Sequence, residues 1–244
     1  MPSRFDLRPL VVRLVGGVSR RTVGLEFDDL LALGCGVVRE MDTRDPIIAL
    51  TFDDGPSVHG TERILDVLDA YGARATFFMI GENAARHPRI ARAVADRGHE
   101  IGCHGHRHLD FHWQTPWEIA FDLRTCKRTI EDVTGRPVHR VRAPFGHFRW
   151  DVRPIAHRLG LRQMVGWSIG PAWNEREPDR LAEYVSSRAR PGAIVLLHDA
   201  TGTAQVDVEG WTRTVCSALP RMISAVATQG LTCSALAPVS SNKQ

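Results

Sequence analysis

The chain has 244 residues, of which 43% are hydrophobic and 24% charged, and its formal net charge is +3. This length and composition are ordinary for one sizeable globular domain and exclude a disordered, collagen-like or coiled-coil protein. The small net charge, without any run of like-charged residues, gives no indication of a nucleic-acid partner. Histidine is unusual, because four of the 11 histidines lie between residues 104 and 112.

Short apolar segments alternate with helical patterns from residue 46 onward. Strands are predicted at 47–52, 76–80, 100–102, 138–142, 163–168, 193–197 and 231–236. Helices are predicted between them, the clearest at 61–70, 88–97 and 117–133, where apolar residues recur every three or four positions. About seven strands, each followed by a helix or a long connection, indicate parallel β–α–β units.

Seven such units fit either a closed barrel or an open, doubly wound sheet. Polar or aromatic residues lie at or just beyond the ends of five of the predicted strands, at Asp53–Asp54, His104, Arg142, Trp167 and His198. In a β/α barrel several strands deliver functional groups to one mouth, at their carboxyl ends. This favours a distorted (β/α)7 barrel over residues 46–238. Residues 1–45 then form an N-terminal extension with a helix near 27–33, and residues 239–244 form a polar tail.

The cysteines and the N-terminus bear on the compartment. Five scattered cysteines without a CxxC pair do not form the framework of a secreted disulfide-rich protein. The apolar stretch 10–18 is interrupted by Arg13, unlike a signal peptide, and no segment has the roughly 20 apolar residues of a membrane-spanning helix. We therefore expect a cytoplasmic protein, and the basic N-terminus leaves contact with a membrane surface open.

Two adjacent carboxylates, Asp53 and Asp54, lie in the sequence TFDDGP at the end of the first predicted strand. Like charges repel in a partly dry site, and a cation beside them removes that cost. Because adjacent strand residues point to opposite sides, one carboxylate can ligate a metal while the other handles protons. The turn at Gly55–Pro56 lets a substrate approach the backbone. The alternative is a pair of capping residues for the helix at 61–70.

His104 and His108 lie four residues apart in the histidine-rich segment, so that one helical turn would bring both imidazoles to the same point. Two imidazoles and a carboxylate are an ordinary ligand set for zinc and similar divalent ions. The alternative is a solvated loop or an adventitious metal site.

Arg142 begins the sequence RAPFG, and His198 lies in the sequence LLHD. An arginine at a strand end can pair with a carboxylate and keep it ionised, whereas the alternative is a surface arginine. A histidine at a strand end can act as a general acid near neutral pH, and the alternative is a hydrogen-bonded structural histidine.

In chain order, TFDDGP, GHEIG followed by HxxxH, RAPFG, a tryptophan segment and LLHD resemble the motifs of the polysaccharide deacetylase family, the NodB-type carbohydrate esterases of family 4. The resemblance covers residues 45–236. It implies a distorted barrel of seven strands and a metal-dependent hydrolase. Such an enzyme removes an N-acetyl group, with N-formyl as an alternative, from an amino sugar or an N-acylated glycan or glycolipid.

The resemblance also implies a role for each motif residue. The residues that would hold a divalent metal are Asp54, His104 and His108. Zinc is the expected ion, with cobalt, manganese or nickel as alternatives. Asp53 would be the general base, Arg142 would orient it, and His198 would protonate the departing amine.

Substrate contacts are predicted at Pro56, Phe145, Trp167, Trp173 and Leu196. A backbone N–H near Phe145 would help to hold the oxyanion. The two tryptophans would stack on a sugar face, and Leu196 would line the pocket for the acetyl methyl group. The expected substrate is an N-acylated amino sugar, an oligosaccharide or a lipid-linked sugar, since the chain shows no export signal.

The segment after Trp167 departs from the family pattern. Gly170 and Ala172 offer no carboxylate where the family has acids, one of which adjusts the catalytic histidine. We expect Asp151 or Glu175 to take that role. The departure motivates a second hypothesis, a non-catalytic carbohydrate-binding relative. A metal phosphoesterase is a third, although only one set of three ligands is visible.

Overall fold

The computed structural model describes residues 35–170, 175–201 and 208–238. The strands are β1 (Val37–Val38), β2 (Ile47–Asp53), β3 (Thr76–Met79), β4 (Glu100–Cys103), β5 (Arg140–Val141), β6 (Gln163–Val165), β7 (Ile194–His198) and β8 (Thr232–Ser234). The α-helices are α1 (Thr61–Ala70), α2 (Gly81–Arg86), α3 (Pro88–Asp96), α4 (Pro116–Thr134), α5 (Val152–Arg158), α6 (Pro178–Ser186) and α7 (Val208–Thr228). Two 3-10 turns lie at Phe111–Trp113 and Pro144–Gly146.

All described strands belong to one sheet in which every strand pair is parallel. The order is β1–β6–β5–β4–β3–β2–β7, and β8 pairs with the first half of β2. Isolated bridges join Glu40 to Ala193 and Ile169 to Val195, so β7 also contacts the segments that follow β1 and β6. The sheet therefore curls towards closure, and the predicted distorted (β/α) barrel is confirmed.

The strand β2 pairs with β3, β7 and β8 and is a continuous apolar run with both faces buried. Only Ile47, at its start, is half-buried, and the other residues of the strand are buried. A parallel strand covered on both faces requires such a run instead of an alternating pattern. The hydroxyl of Thr51 donates a hydrogen bond to the carbonyl oxygen of Val195 at 2.6 Å. The strand thus carries Asp53 from a dry core to the rim of the barrel.

The predicted helices form where local signals are strong. Helix α1 buries Ile64, Leu65 and Leu68 on one face. Before α4, Thr115 and Glu118 form a capping box, in which each side chain accepts a hydrogen bond from the other residue's backbone N–H. Such a box satisfies backbone donors that a helix start otherwise leaves unpaired.

The structure also contains elements that the sequence pattern does not predict. Strand β1 pairs with β6, so the sheet begins before residue 46, where the sequence analysis places the start of the domain. Two residues are too few to form a recognisable pattern, and the short helix α2 lacks one as well. The helix predicted near 27–33 and the tail 239–244 lie outside the described residues. Within the described ranges, no helix combines the length and hydrophobicity that crossing a bilayer requires.

Candidate active site

Four chemically active side chains gather at one rim of the barrel. Asp53 ends β2, His104 follows β4, Arg142 follows β5, and His198 ends β7. Because the strands are parallel, their carboxyl ends lie at the same rim, which is where β/α barrels build their sites.

Asp54, His104 and His108 converge on one point. Oδ1 of Asp54 lies 3.2 Å from Nε2 of His108 and 3.4 Å from Nε2 of His104. The two imidazole centroids are 5.0 Å apart. Nδ1 of His104 lies 2.9 Å from the backbone carbonyl oxygen of Arg142, which can only accept, so this nitrogen carries the proton. The lone pair of His104 is therefore on Nε2, the nitrogen that faces Asp54.

The electrostatics of this cluster fit a cation. Burial lowers the pKa of His104 to about 3, although its hydrogen bond to the carbonyl of Arg142 acts in the opposite direction. Burial also lowers the pKa of His108 to about 3, and the neighbouring His104 lowers it further. Both imidazoles are neutral at pH 7, as metal ligands must be. One carboxylate and two neutral imidazoles are a donor set suited to a divalent metal.

The two histidines meet through a loop, not through the helical turn that their spacing suggests. His108 has a φ of 54° and Asp54 a φ of 80°, a left-handed conformation that residues other than glycine rarely adopt. Surrounding hydrogen bonds hold both segments. Asn83 donates through Nδ2 to the carbonyl oxygen of Asp54 at 2.7 Å, and the backbone N–H of His106 donates to Oδ2 of Asp122 at 2.7 Å.

The sequence analysis did not identify Asn83 or Asp122. A signal existed for Asp122, because it lies on the face of α4 that buries Ile119, Leu123 and Cys126. A carboxylate on an apolar helix face needs a partner, and here the histidine loop provides it. Nothing in the local pattern distinguishes Asn83 from an ordinary surface asparagine.

Arg142 holds the carboxylate of Asp53 beside the three convergent ligands. Nη1 of Arg142 donates to Oδ1 of Asp53 at 2.7 Å and to the hydroxyl oxygen of Thr51 at 2.8 Å, while Nη2 donates to the carbonyl oxygen of Gly166 at 2.8 Å. The exposed fraction is 0% for Arg142 and 2% for Asp53. Burial raises the pKa of Asp53, and the charge of Arg142 opposes that rise. A second carboxylate is thus poised near the cluster, with Oδ2 lying 3.7 Å from Nε2 of His104.

His198 lies beside this carboxylate, since it pairs in register with Asp53. Burial lowers the pKa of His198 to about 4, and attraction to Asp53 opposes this shift. Its imidazole also meets the ring of Trp211 edge-on, with centroids 6.5 Å apart. His198 is therefore neutral at pH 7 in this structure.

The two acids expected to partner His198 have other partners. Asp151 accepts a hydrogen bond from Nε of Arg149 at 3.0 Å. Glu175 accepts one from the backbone N–H of Glu177 at 3.0 Å. Neither is among the charges that shift the pKa of His198.

Asp199 fixes the turn that follows β2. Its Oδ1 accepts the backbone N–H of Gly55 at 2.9 Å, and its Oδ2 accepts the hydroxyl of Thr61 at 2.5 Å. A Cβ at Gly55 would come within 2.0 Å of Oδ2, so only glycine fits there. Burial raises the pKa of Asp199 to about 7, against the effect of these hydrogen bonds. The sequence analysis assigned no role to Asp199, although its position next to His198 indicated that it lies near the site.

The structure places the predicted substrate contacts in different surroundings. The ring of Phe145 is half-exposed and lies 4.5 Å from that of His108. Trp167 and Leu196 flank Gly170, where an added Cβ would lie 3.1 Å from Leu196 and 3.3 Å from Trp167. A larger residue at 170 would therefore crowd both neighbours. Pro56 is buried in the turn after Asp54, and Trp173 lies outside the described residues.

Comparisons with known proteins agree with this geometry. The sequence profile described as polysaccharide deacetylase matches residues 40–164. The chain is 32% identical over 188 residues to a chitooligosaccharide deacetylase of Azorhizobium caulinodans, covering 75% of this chain and 89% of the relative. It is 31% identical over 163 residues to a peptidoglycan-N-acetylglucosamine deacetylase of Listeria monocytogenes, covering 66% of this chain and 34% of the relative.

Among solved structures, a CE4-family pseudoenzyme from Bacillus anthracis is similar, with a TM-score of 0.70 and 27% identity. That match covers 82% of this chain and 66% of the other. The match of the family profile over residues 40–164 and the identity to the relatives show that the chain belongs to the polysaccharide deacetylase family.

Proposed function

We propose that this protein is a metal-dependent N-deacetylase that hydrolyses the acetamide group of an N-acetylated amino sugar. One observation carries the proposal. The Nε2 atoms of two neutral imidazoles lie within 3.4 Å of Oδ1 of Asp54, and Arg142 holds a second buried carboxylate, that of Asp53, beside them. A module that only binds sugar needs no such additional carboxylate.

Asp54, His104 and His108 are the residues that would hold the divalent cation. Such an ion polarises an acyl carbonyl and lowers the pKa of water at the same point. Asp53 accepts the proton of the attacking water, since a buried carboxylate of raised pKa is a stronger base than an exposed one. Arg142 opposes that rise and fixes the orientation of the carboxylate.

His198 supplies the proton that the departing nitrogen needs. Its lowered pKa leaves it neutral at the start, so it must first receive a proton. Asp53, its partner in register across β2 and β7, is the group at hand to pass on the proton taken from water. The C–N bond then breaks to give acetate and the free amine. The backbone N–H of Phe145, whose ring lies beside His108, is the proposed donor to the developing oxyanion.

The substrate class is proposed from the relatives. Two of them are named for deacetylating chitooligosaccharides and the N-acetylglucosamine of peptidoglycan, and this supports N-acetylglucosamine units as the substrate. The half-exposed ring of Phe145 is placed to stack on a sugar. A lipid-linked sugar, an N-formyl group and a cytoplasmic location remain predictions of the sequence analysis.

A non-catalytic, carbohydrate-binding protein is the second candidate function. Two observations favour it, namely the similarity to a solved pseudoenzyme and the glycine at position 170, where the family has an acid. The intact pair of Asp53 and Arg142 argues against it.

The test measures acetate and formate released by protein that has been stripped of metal and reloaded with Zn²⁺, Co²⁺, Mn²⁺ or Ni²⁺. The substrates are N-acetylglucosamine oligomers, peptidoglycan fragments and a lipid-linked N-acetyl sugar, with nitrophenyl phosphate to detect phosphoesterase activity. We expect acetate from a sugar substrate only in the presence of metal. Sugar binding without acetate release under any metal would support the non-catalytic alternative.

Two variants separate the roles of the site residues. Asp53→Asn is expected to bind metal like the wild type but to lose nearly all turnover. His104→Ala is expected to lose the ion held by Asp54, His104 and His108, because it removes a ligand. The matched control is His106→Gln, which changes a histidine in the same loop outside the ligand set and should retain metal. Unchanged turnover in Asp53→Asn would contradict the assignment of the base.

A further inference from the structure

A second cluster of ligand-type side chains lies outside the site described above. It consists of Asp110, His112 and His147, whose ligand atoms all lie within 4.8 Å of one another. Nδ1 of His147 is 2.8 Å from Oδ2 of Asp110, and Nδ1 of His112 is 3.9 Å from Oδ1 of the same carboxylate. The two imidazoles stack with their centroids 4.7 Å apart.

This cluster matches the first in composition and in spacing. Both contain one aspartate and two histidines, and the imidazole centroids are 4.7 Å apart here and 5.0 Å apart in the pair His104 and His108. The clusters differ in exposure, because the side chains of His112 and His147 are 44% and 41% exposed. A cation at the second cluster would keep part of its hydration and would bind more weakly.

The backbone around the cluster is tied together without any ion. Oδ1 of Asp110 accepts the backbone N–H of His112 at 2.9 Å, which fixes the 3-10 turn at Phe111–Trp113. Nη1 of Arg149 donates to the carbonyl oxygens of Phe111 at 2.6 Å and Gln114 at 2.7 Å. This arginine joins the turn that carries His112 to the segment that carries His147. The ligand atoms are therefore held close together in advance, which reduces the entropy cost of binding.

The chemistry of the cluster also suits a cation, because a carboxylate and two imidazoles are donors that divalent transition metals prefer. A single hydrogen bond between Asp110 and His147 explains their contact, but it does not account for the second imidazole stacked beside them.

We propose that Asp110, His112 and His147 form a second divalent-metal site, with water completing the coordination. Two imidazoles and a carboxylate select zinc, cobalt, nickel or copper over calcium or magnesium. The site lies beside the first one, since the ring of Phe145 is 6.1 Å from that of His147 and 4.5 Å from that of His108. The proposal does not depend on the deacetylase reaction.

The test counts the ions bound by the full chain, using equilibrium dialysis against Co²⁺ and Zn²⁺ followed by metal analysis. We expect two ions per wild-type chain, the second with lower affinity, and one ion in the double variant His112→Ala/His147→Ala. We expect His104→Ala to retain the weaker ion. Adding the double substitution to His104→Ala should abolish its Co²⁺ absorption spectrum.

His157→Ala is the control, because it removes an exposed histidine from α5 and should leave two ions bound. Circular dichroism verifies that each variant is folded, and the single variant His147→Gln replaces the double variant if that one unfolds. One ion per wild-type chain would overturn the proposal. The proposal would also be overturned if the double variant still bound a second ion, or if His147→Gln did so where that variant is used instead.

Discussion

Replacing Arg142 by methionine is expected to lower the free energy of unfolding by about 3–5 kcal/mol, because it leaves the carboxylate of Asp53 buried without its counter-charge. Asp53 is 2% exposed and its Oδ1 lies 2.7 Å from Nη1 of the arginine. At that distance and an effective dielectric constant of about 20, the attraction of two unit charges is about 6 kcal/mol, which is of the same order as the expected loss. The carbonyl of Gly166 also loses its charged donor.

A double-mutant cycle isolates this pair. Asp53→Asn removes the negative charge but keeps an oxygen that can accept from Arg142, and we expect it to cost about 2 kcal/mol. The double variant Arg142→Met/Asp53→Asn removes both charges, so it should cost about 2 kcal/mol less than the sum of the single variants. Urea unfolding at pH 7.5, followed by the fluorescence of the six tryptophans, measures all four proteins.

Additive costs, within about 0.5 kcal/mol, would refute the reasoning, since they would mean that the two side chains do not stabilise each other in the folded protein. The pH dependence of activity gives a second measure. The charge of Arg142 lowers the pKa of Asp53, so its removal raises that pKa. In Arg142→Met, the acid limb of the pH profile of kcat/KM should therefore move to higher pH.

Three further predictions concern stability. Burial lowers the pKa of His99 to about 4, below its ordinary value of 6.5, so the neutral imidazole contributes stability that is complete above pH 6.5 and is lost as the pH falls towards 4. His99→Asn keeps an acceptor for the N–H of Ala75 and should remove up to about 3 kcal/mol of this pH dependence of the free energy of unfolding, as measured by urea titrations. An unchanged pH dependence in the variant would mean that another group causes it. Thr115→Ala should cost about 0.5–2 kcal/mol through loss of the capping box, whereas Thr115→Ser should be nearly neutral; equal effects in thermal unfolding would contradict this. Asp199→Ala should cost about 1–3 kcal/mol, because the N–H of Gly55 loses its acceptor, and Asp199→Asn should cost less; the reverse order would exclude that hydrogen bond as the cause.

Much of the secondary structure could be predicted because its signals are local. Helix α1 was predicted with its observed bounds, and the strand predicted at 47–52 is extended only by Asp53. The prediction near 138–142 was less accurate, because β5 is confined to Arg140–Val141. The extent of a short strand depends on its neighbours, and β5 lies between β4 and β6.

The sequence by itself determined which residue types occur at the ends of the strands, and their order along the chain was enough to indicate the family. A strand brings its last residue to the rim whatever the loops do, so Asp53 and His198 could be placed from periodicity alone. The sequence could not determine the partners that are distant along the chain. Arg142 and Asp53 are 89 positions apart, and no local pattern in the sequence joins them.

Only the tertiary structure decided how the histidine loop is shaped and what holds it. The left-handed conformation of His108 is maintained by packing and hydrogen bonds around the loop, including the bond that the backbone N–H of His106 donates to Asp122 of α4. The pairing of Asp110 with His147 likewise exists only because the curled sheet brings two separate segments together. Contacts of this kind depend on the closure of the barrel, and no window of sequence contains the information that fixes that closure.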